Sequence, residues 1–286
     1  GSIGNALEKP ENARSLRGIV SADLDGRRLV LVCSGVEVDQ KGDGGLYYVD
    51  QMLACKGDGI LRPLVSGFDA FDAATIGDAV YVSDQSDTAC IYKFSLKQIF
   101  ADGTLHLNSK NVTKYSFYCS DKMKQGFKFR GLDADPDTGT IYICEMSIRG
   151  PGYITAVSSK GKKLWSSSIN TRDVVVVGKA LYAVIQDSTS YYRMLELDKN
   201  SGKTLNSYPM TVNVPPDPER RPRGMTVDEK GEKIYIVEGR AVCTSEIGAS
   251  YIPSSIMTFD LKRKQKVNPV ELILTKTLKH HCTSIE

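Results

Sequence analysis

Four arginines recur at matching places along this 286-residue chain: Arg17, Arg130, Arg172 and Arg223, each directly before a short run that reads as a β-strand. A guanidinium offers a planar fork of donors that suits a carboxylate or a phosphate. Four of them gathered at one place would make an anion-binding mouth. Acids recur in the same rhythm, at Asp84, Glu145, Asp187 and Glu238. Arginine and acid at repeated positions also suit a plainer role, cross-bracing between repeats. Both readings stand on the sequence.

Other chemistry is sparse. The run Asp133-Ala-Asp-Pro-Asp-Thr-Gly139 has acids spaced like a calcium loop, but it lacks a later bidentate glutamate and reads as a turn. There is no G-x-S-x-G, and of three histidines (His106, His280, His281) two fall in the last seven residues. His106 reads as a solvated residue on an edge strand. No Cys-x-x-Cys and no G-x-G-x-x-G is present, so no metal centre and no cofactor are expected. With 37 basic and 34 acidic residues, the net charge of +3 is no nucleic-acid footprint. No apolar run approaches the ~18 residues of a membrane helix, so any membrane link would come from an anchor outside this sequence. Gly1-Ser2 has the look of a tag-cleavage scar.

The elements that must position these residues are strands. Short β-branched and aromatic runs alternate with Gly, Asp, Asn and Ser turns, and helical periodicity is confined to about 95–100. The runs repeat. Arg17-Gly-Ile, Gly67-Phe-Asp (with Ser66 in the arginine's place), Arg130-Gly-Leu-Asp, Arg172-Asp-Val-Val and Arg223-Gly-Met-Thr open five copies. Leu29–Val32, Val80–Asp84, Ile141–Glu145, Leu181–Val184 and Ile234–Glu238 follow as second strands. A third strand follows in each copy and a fourth in most, Lys163-Leu-Trp165 and Glu271–Leu274 among them. Copies of about four strands are the mark of propeller blades, because one small twisted sheet cannot bury both its faces alone. The chain is therefore expected to be all-β: a single five-bladed β-propeller over 16–279, after an N-terminal extension (1–15) and before a tail (280–286) that closes the ring. Six blades, the last incomplete, is the alternative. Tyr47, Tyr81, Tyr142, Tyr182 and Tyr235 should lie on middle strands, packed between blades with hydroxyls on polar partners.

At Arg130–Glu145 and Arg223–Glu238 the chain resembles the NHL, YWTD and TolB-like propeller repeats. At Leu197–Leu205 and Ser159–Trp165 it resembles the outer hairpins of quinoprotein blades. The resemblance implies that the arginines begin innermost strands, at the face where such propellers usually bind ligands. It says little about function, because these folds host enzymes, receptors and scaffolds alike.

Seven cysteines and the acceptor triplet Asn111-Val-Thr113 favour an oxidising compartment and glycosylation at Asn111. The expected disulfides are Cys90–Cys119 and Cys243–Cys282, each joining equivalent loops of adjacent sheets, with Cys33–Cys55 as a third and Cys144 left as a buried thiol. The Pro-rich, basic stretch 213–223 and the long insertion 240–255 should flank the arginine end as binding loops. The expected function is a non-enzymatic recognition module. It would be an extracellular, monomeric ectodomain of a cell-surface protein, with a protein, acidic peptide or acidic glycan bound by Arg17, Arg130, Arg172, Arg223, Asp84, Glu145 and Glu238. A calcium-dependent propeller hydrolase of the lactonase or strictosidine-synthase kind and an intracellular scaffold are the alternatives.

Overall fold

The computed structural model describes residues 15–35, 44–50, 60–86, 90–120, 127–147, 151–186, 192–210, 220–228, 230–240 and 255–267. They form five antiparallel sheets arranged as a five-bladed propeller. Blade I holds β1 (Ser15–Leu24), β2 (Arg27–Gly35), β3 (Gly45–Asp50) and β4 (Arg62–Ser66). Blade II holds β5 (Ala70–Ile76), β6 (Ala79–Asp84), β7 (Cys90–Ser95) and β9 (Ser116–Cys119). Blade III runs from β10 (Phe127–Asp135) through β11 (Thr140–Ser147) and β12 (Tyr153–Val157) to β13 (Lys163–Ser167). Blade IV holds β14 (Val174–Val177), β15 (Ala180–Gln186), β16 (Tyr192–Asp198) and β17 (Thr204–Pro209). Blade V holds β18 (Arg220–Val227), β19 (Lys233–Arg240), β20 (Ser255–Asp260) and β21 (Gln265–Val267). The innermost strands β1, β5, β10, β14 and β18 pack against one another in that order.

Side-chain alternation builds the core. On β11, Ile141 and Ile143 face blade II and join a cluster with Tyr81, Ile91 and Phe129. The intervening Tyr142 and Cys144 face blade IV and pack with Val174, Leu181 and Leu197. A one-residue slip would exchange the two faces, so the register is set by burial on both sides. The first hairpin of blade I turns at Asp25-Gly26, both with positive φ (51° and 79°), the pairing that suits a tight two-residue turn. Asp23 caps that turn by accepting from Gly26 N at 3.0 Å.

Several expected details change. The fourth strand of blade V is β21, while Glu271–Leu274 lies outside the described residues. In blade II the fourth strand is delayed by an excursion: α1 (Leu96–Asp102), β8 (Leu105–His106) and α2 (Val112–Tyr115) stand between β7 and β9. Here β8 leaves its own blade and pairs in parallel with β4, giving blade I a fifth strand. Because the excursion hides β9, Cys119 reads from the sequence as a linker residue. It instead sits on β9 directly opposite Cys90, and the two form a disulfide within one blade rather than between two. Cys33 is a free, fully buried thiol, not a partner for Cys55: it points into the blade I–II core. Cys144 is likewise free and buried. Cys55, Cys243 and Cys282 lie outside the described residues.

Two of the five expected tyrosines bond across to the neighbouring blade through their hydroxyls. Tyr142 donates to the Lys199 carbonyl of blade IV at 3.1 Å, and Tyr182 donates to Glu196 at 3.0 Å while accepting from Lys264 of blade V at 2.7 Å.

Candidate functional site: an arginine mouth over an axial ring

Four of the five innermost strands carry an irregularity at the same place. The pairing register shifts between Leu16 and Ile19 on β1, Ala70 and Ala73 on β5, Phe129 and Leu132 on β10, and Pro222 and Gly224 on β18. Such bulges bend a strand and re-aim its side chains. Here they hold Arg17-Gly18, Phe71-Asp72, Arg130-Gly131 and Arg223. The bulges of blades I, II and III sit opposite small residues, Cys33, Ser83 and Cys144.

This geometry corrects the alignment of blade II. Its residue in the arginine's place is Phe71, not Ser66, which ends β4 of blade I. Arg17 lies over one side of the Phe71 ring at 5.5 Å, and Arg130 lies over it at 5.0 Å. Cation–π attraction of this kind holds a guanidinium plane while leaving its edge free to bond. Arg17 reaches across to Asp69 of blade II at 2.9 Å. Arg130 donates to Gln85, also in blade II. The Nε atoms of Arg17, Arg130 and Arg223 are all buried, and Arg130 Nε has no hydrogen-bond partner among the described residues. Burial, together with the positive charges of Arg17 and Arg223 and opposed by Asp69, brings Arg130 down to about 10. Three guanidinium groups therefore share one mouth.

The residues just below the arginines alternate around the axis: Gly18, Asp72, Gly131, Asp173, Gly224. The glycines make room for the carboxylates. A Cβ on Gly18 would lie 2.2 Å from Asp72 Oδ1, and one on Gly131 would lie 2.2 Å from Asp173 Oδ1. Each acid clasps the next blade through its backbone. Asp72 accepts from Leu132 N at 3.1 Å, and Asp173 accepts from Met225 N at 2.6 Å. Asp133, two residues further along β10, accepts from Val176 N at 2.7 Å. Burial pushes Asp72 up to about 7 against the pull of its two backbone hydrogen bonds, with Asp133 adding repulsion. Asp133 rises to about 6, and Asp173 rises well above the usual carboxylate range, both chiefly through burial.

The remaining expected residues are placed as follows. Arg172 lies beside the same ring, its carbonyl accepting from Gly131 N at 2.8 Å. Asp84 is buried but is held by its own blade: it accepts from Asp69 N, from Ser86 N and Oγ, and from the Tyr92 hydroxyl. Glu145 and Glu238 are buried on β11 and β19, opposite Phe129 and Pro222. Asp187 lies outside the described residues. Asn111 precedes α2, its amide donating to the His106 carbonyl at 2.9 Å. The Asp133–Gly139 run is a hairpin turn, with Gly139 N bonded to the Asp135 carbonyl at 2.8 Å. Among the described residues, no group of three or more His, Cys, Asp or Glu side chains is placed to hold a metal ion. Sequence reasoning missed Asp69, Phe71, Asp72, Gln85 and Asp173. Matching Phe71-Asp72 to the Arg-Gly pairs would have exposed most of them.

Three strand ends of blade V lie at this end, and most of the expected loops 213–223 and 240–255 falls outside the described residues. Arg220 pairs with Arg240 and Glu238 with Ser255, so the start of β18, the end of β19 and the start of β20 lie on the arginine side.

No family of known sequences matches the chain, and no curated protein matches it. Solved structures do, at the level of fold. A luciferin-regenerating enzyme aligns with a TM-score of 0.56 and 12% identity over 90% of this chain and 76% of its own. A 6-phosphogluconolactonase candidate from Bacteroides uniformis gives 0.52 and 17% over 94% and 70%. The N-terminal domain of Nup159 gives 0.50 and 12% over 88% of this chain, which spans 60% of that domain. TolB from Acinetobacter baumannii gives 0.52 and 14% over 84% and 51%. What these share with the present chain is the β-propeller fold.

Proposed function

We propose that this propeller is a recognition module that binds an acidic segment of a partner protein at the arginine mouth. The observation that carries the reading is the set of Arg17, Arg130 and Arg223 around one axis, with two of the guanidinium groups laid on the Phe71 ring. Arg17 pairs with Asp69, and Arg130 meets the neutral Gln85. A carboxylate-rich ligand would bond the guanidinium edges that the ring contacts leave open, with strong dependence on salt. The Cys90–Cys119 disulfide supports an extracellular or cell-surface setting. Titration with an oligoglutamate peptide tests the reading. Arg130→Ala and Arg223→Ala should each weaken binding at least tenfold while the protein stays folded. Undiminished binding by the double variant would remove the mouth from the recognition surface.

A further inference from the structure

We propose that the outer rim of blades III and IV, at the end away from the arginine mouth, docks on an anionic bilayer surface. The proposal stands apart from the recognition reading above and uses none of its residues. Its ground is a repeated irregularity in the outer strands. The register shifts between β3 and β4, β7 and β9, β12 and β13, and β16 and β17, and each shift leaves one extra residue on the outer strand. That residue is Leu64, Phe117, Leu164 and Leu205 in turn. A bulge re-aims such a side chain. The chain itself covers the first two. Leu64 is buried in one cluster with Ile99 and Leu107 of the blade II excursion, and Phe117 packs edge-on against Tyr81. Leu164 and Leu205 are each 54% exposed. Among the described residues, Ile19 and Ile60 are the other large apolar side chains in the open. Single apolar residues scattered on a surface mean little, but two at equivalent sites of adjacent blades form a pattern.

Lysines accompany both leucines. Lys160, Lys162 and Lys163 ahead of Leu164, and Lys203 ahead of Leu205, are exposed, as is Lys179 in the first hairpin of blade IV. The acids of these turns are mostly drawn into the fold. Asp198 accepts from Asn200 N at 3.0 Å and from Ser201 Oγ at 2.7 Å, and Asp135 is paired with Lys199, which leaves Asp137 exposed. The two outer hairpins are also held in place. Each seats a glycine on the outer strand of the preceding blade: a Cβ on Gly161 would lie 2.4 Å from the Phe117 carbonyl oxygen, and one on Gly202 would lie 2.5 Å from the Trp165 ring. Ser167 Oγ donates to the Gly202 carbonyl at 2.7 Å, which ties the blade IV hairpin to β13. Lysines and leucines therefore share one fixed rim. Ammonium groups attract anionic headgroups while apolar side chains enter the acyl boundary, and the two contributions add. A soluble polyanion would use the lysines and leave the leucines idle, so the pairing favours a lipid surface. Docking by this rim leaves the arginine mouth facing away from the bilayer.

The experiment is co-sedimentation with vesicles of phosphatidylcholine, alone or mixed with phosphatidylserine, at fixed ionic strength. Wild type should bind the mixed vesicles more tightly by about tenfold or more. Lys160→Ala, Lys162→Ala and Lys203→Ala combined should weaken that binding about a hundredfold, at roughly fivefold for each cation. Leu164→Ser with Leu205→Ser should weaken it about tenfold. Both sets change exposed side chains, and thermal melts matching wild type verify that the variants are folded. Arg130→Ala, at the opposite end, should bind vesicles like the wild type, so a failure of the recognition reading leaves this result untouched. Equal affinity of wild type for the two kinds of vesicle overturns the proposal. A loss in the lysine variant with none in the leucine variant marks a soluble polyanion such as a sulfated glycan, and also overturns it. Vesicle binding lost in Arg130→Ala moves the contact to the mouth, with the same consequence.

Discussion

Two cations at opposite ends of the propeller, Lys199 buried and Arg130 half-buried, show what bracing looks like here and what it does not. At the end away from the mouth, Lys199 of blade IV reaches Asp135 of blade III at 2.7 Å and the Gly178 carbonyl at 2.9 Å. Its backbone carbonyl takes hydrogen bonds from Tyr142 and from Trp165 Nε1. Burial alone would raise Asp135, but Lys199, Thr138 and the Asp137 amide together hold it below its ordinary value. That cation has a full counter-charge and a closed set of bonds. At the mouth, Arg130 has a neutral amide, an aromatic ring and two other arginines nearby, with the Asp69 carboxylate acting only at a distance. Among the described residues, this guanidinium makes no direct ion pair, unlike Lys199. The comparison favours ligand binding over bracing for Arg130, whereas Arg17, paired with Asp69 of the next blade, also braces.

The comparison can be broken by substitution. Asp135→Ala strands Lys199 in a nearly closed site, with side-chain exposure of 10% for the lysine and 2% for the aspartate. It should cost about 3–5 kcal/mol, read as a large drop in chemical-denaturation midpoint. Replacing Cys90 and Cys119 by serine opens a 29-residue separation and should cost about 2–4 kcal/mol, with the loss matched by adding reductant to the wild type. Arg130→Ala should cost less than about 2 kcal/mol, because one neutral hydrogen bond and a ring contact are lost, yet weaken peptide binding at least tenfold. An Arg130→Ala loss as large as that of Asp135→Ala would make the two ends alike and the mouth a brace. Tyr182→Phe removes the hydroxyl between Lys264 and Glu196 and should cost only about 1 kcal/mol, since Lys264 still reaches Glu196 at 3.2 Å.

The same contrast sets the pH profile. Asp72 and Asp133 hold their protons more tightly folded than unfolded, so their contribution is complete below about pH 4 and is lost as the pH rises through about 6–7. Asp135 has the opposite sign: its contribution is present above its ordinary value and fades as acid protonates it. Wild type should therefore show a stability maximum in mildly acidic solution. A melting curve that only rises from pH 5 to pH 8 would contradict the axial assignments.

The strand repeat was legible because burial on both faces of every blade forces period-two patterning, and four of five second strands carry a tyrosine in register. The arginines were legible for the same reason. What hid the rest was insertion. A bulge adds a residue that simple alternation cannot anticipate, so Phe71-Asp72 slipped past its Arg-Gly equivalents, and with it went the axial acids. The excursion 96–115 separates β7 from β9 and turns a strand cysteine into an apparent linker residue. The pairing of Asp72 with Gly18, and of Asp173 with Gly131, joins residues of different blades, which no local pattern reveals.

The strand β8 has a mechanical consequence. By lending two residues of blade II to the outer rim of blade I, with Leu107 N bonded to the Ser66 carbonyl at 2.9 Å and His106 Nδ1 within 3.0 Å of Ser66 Oγ, the chain ties the two blades into one cooperative unit. The tie also covers an edge that would otherwise offer open backbone groups to another molecule. Amide hydrogens of β4 should then exchange together with those of β7 and β9, as members of one foldon, and more slowly than those on the bare outer strand β13.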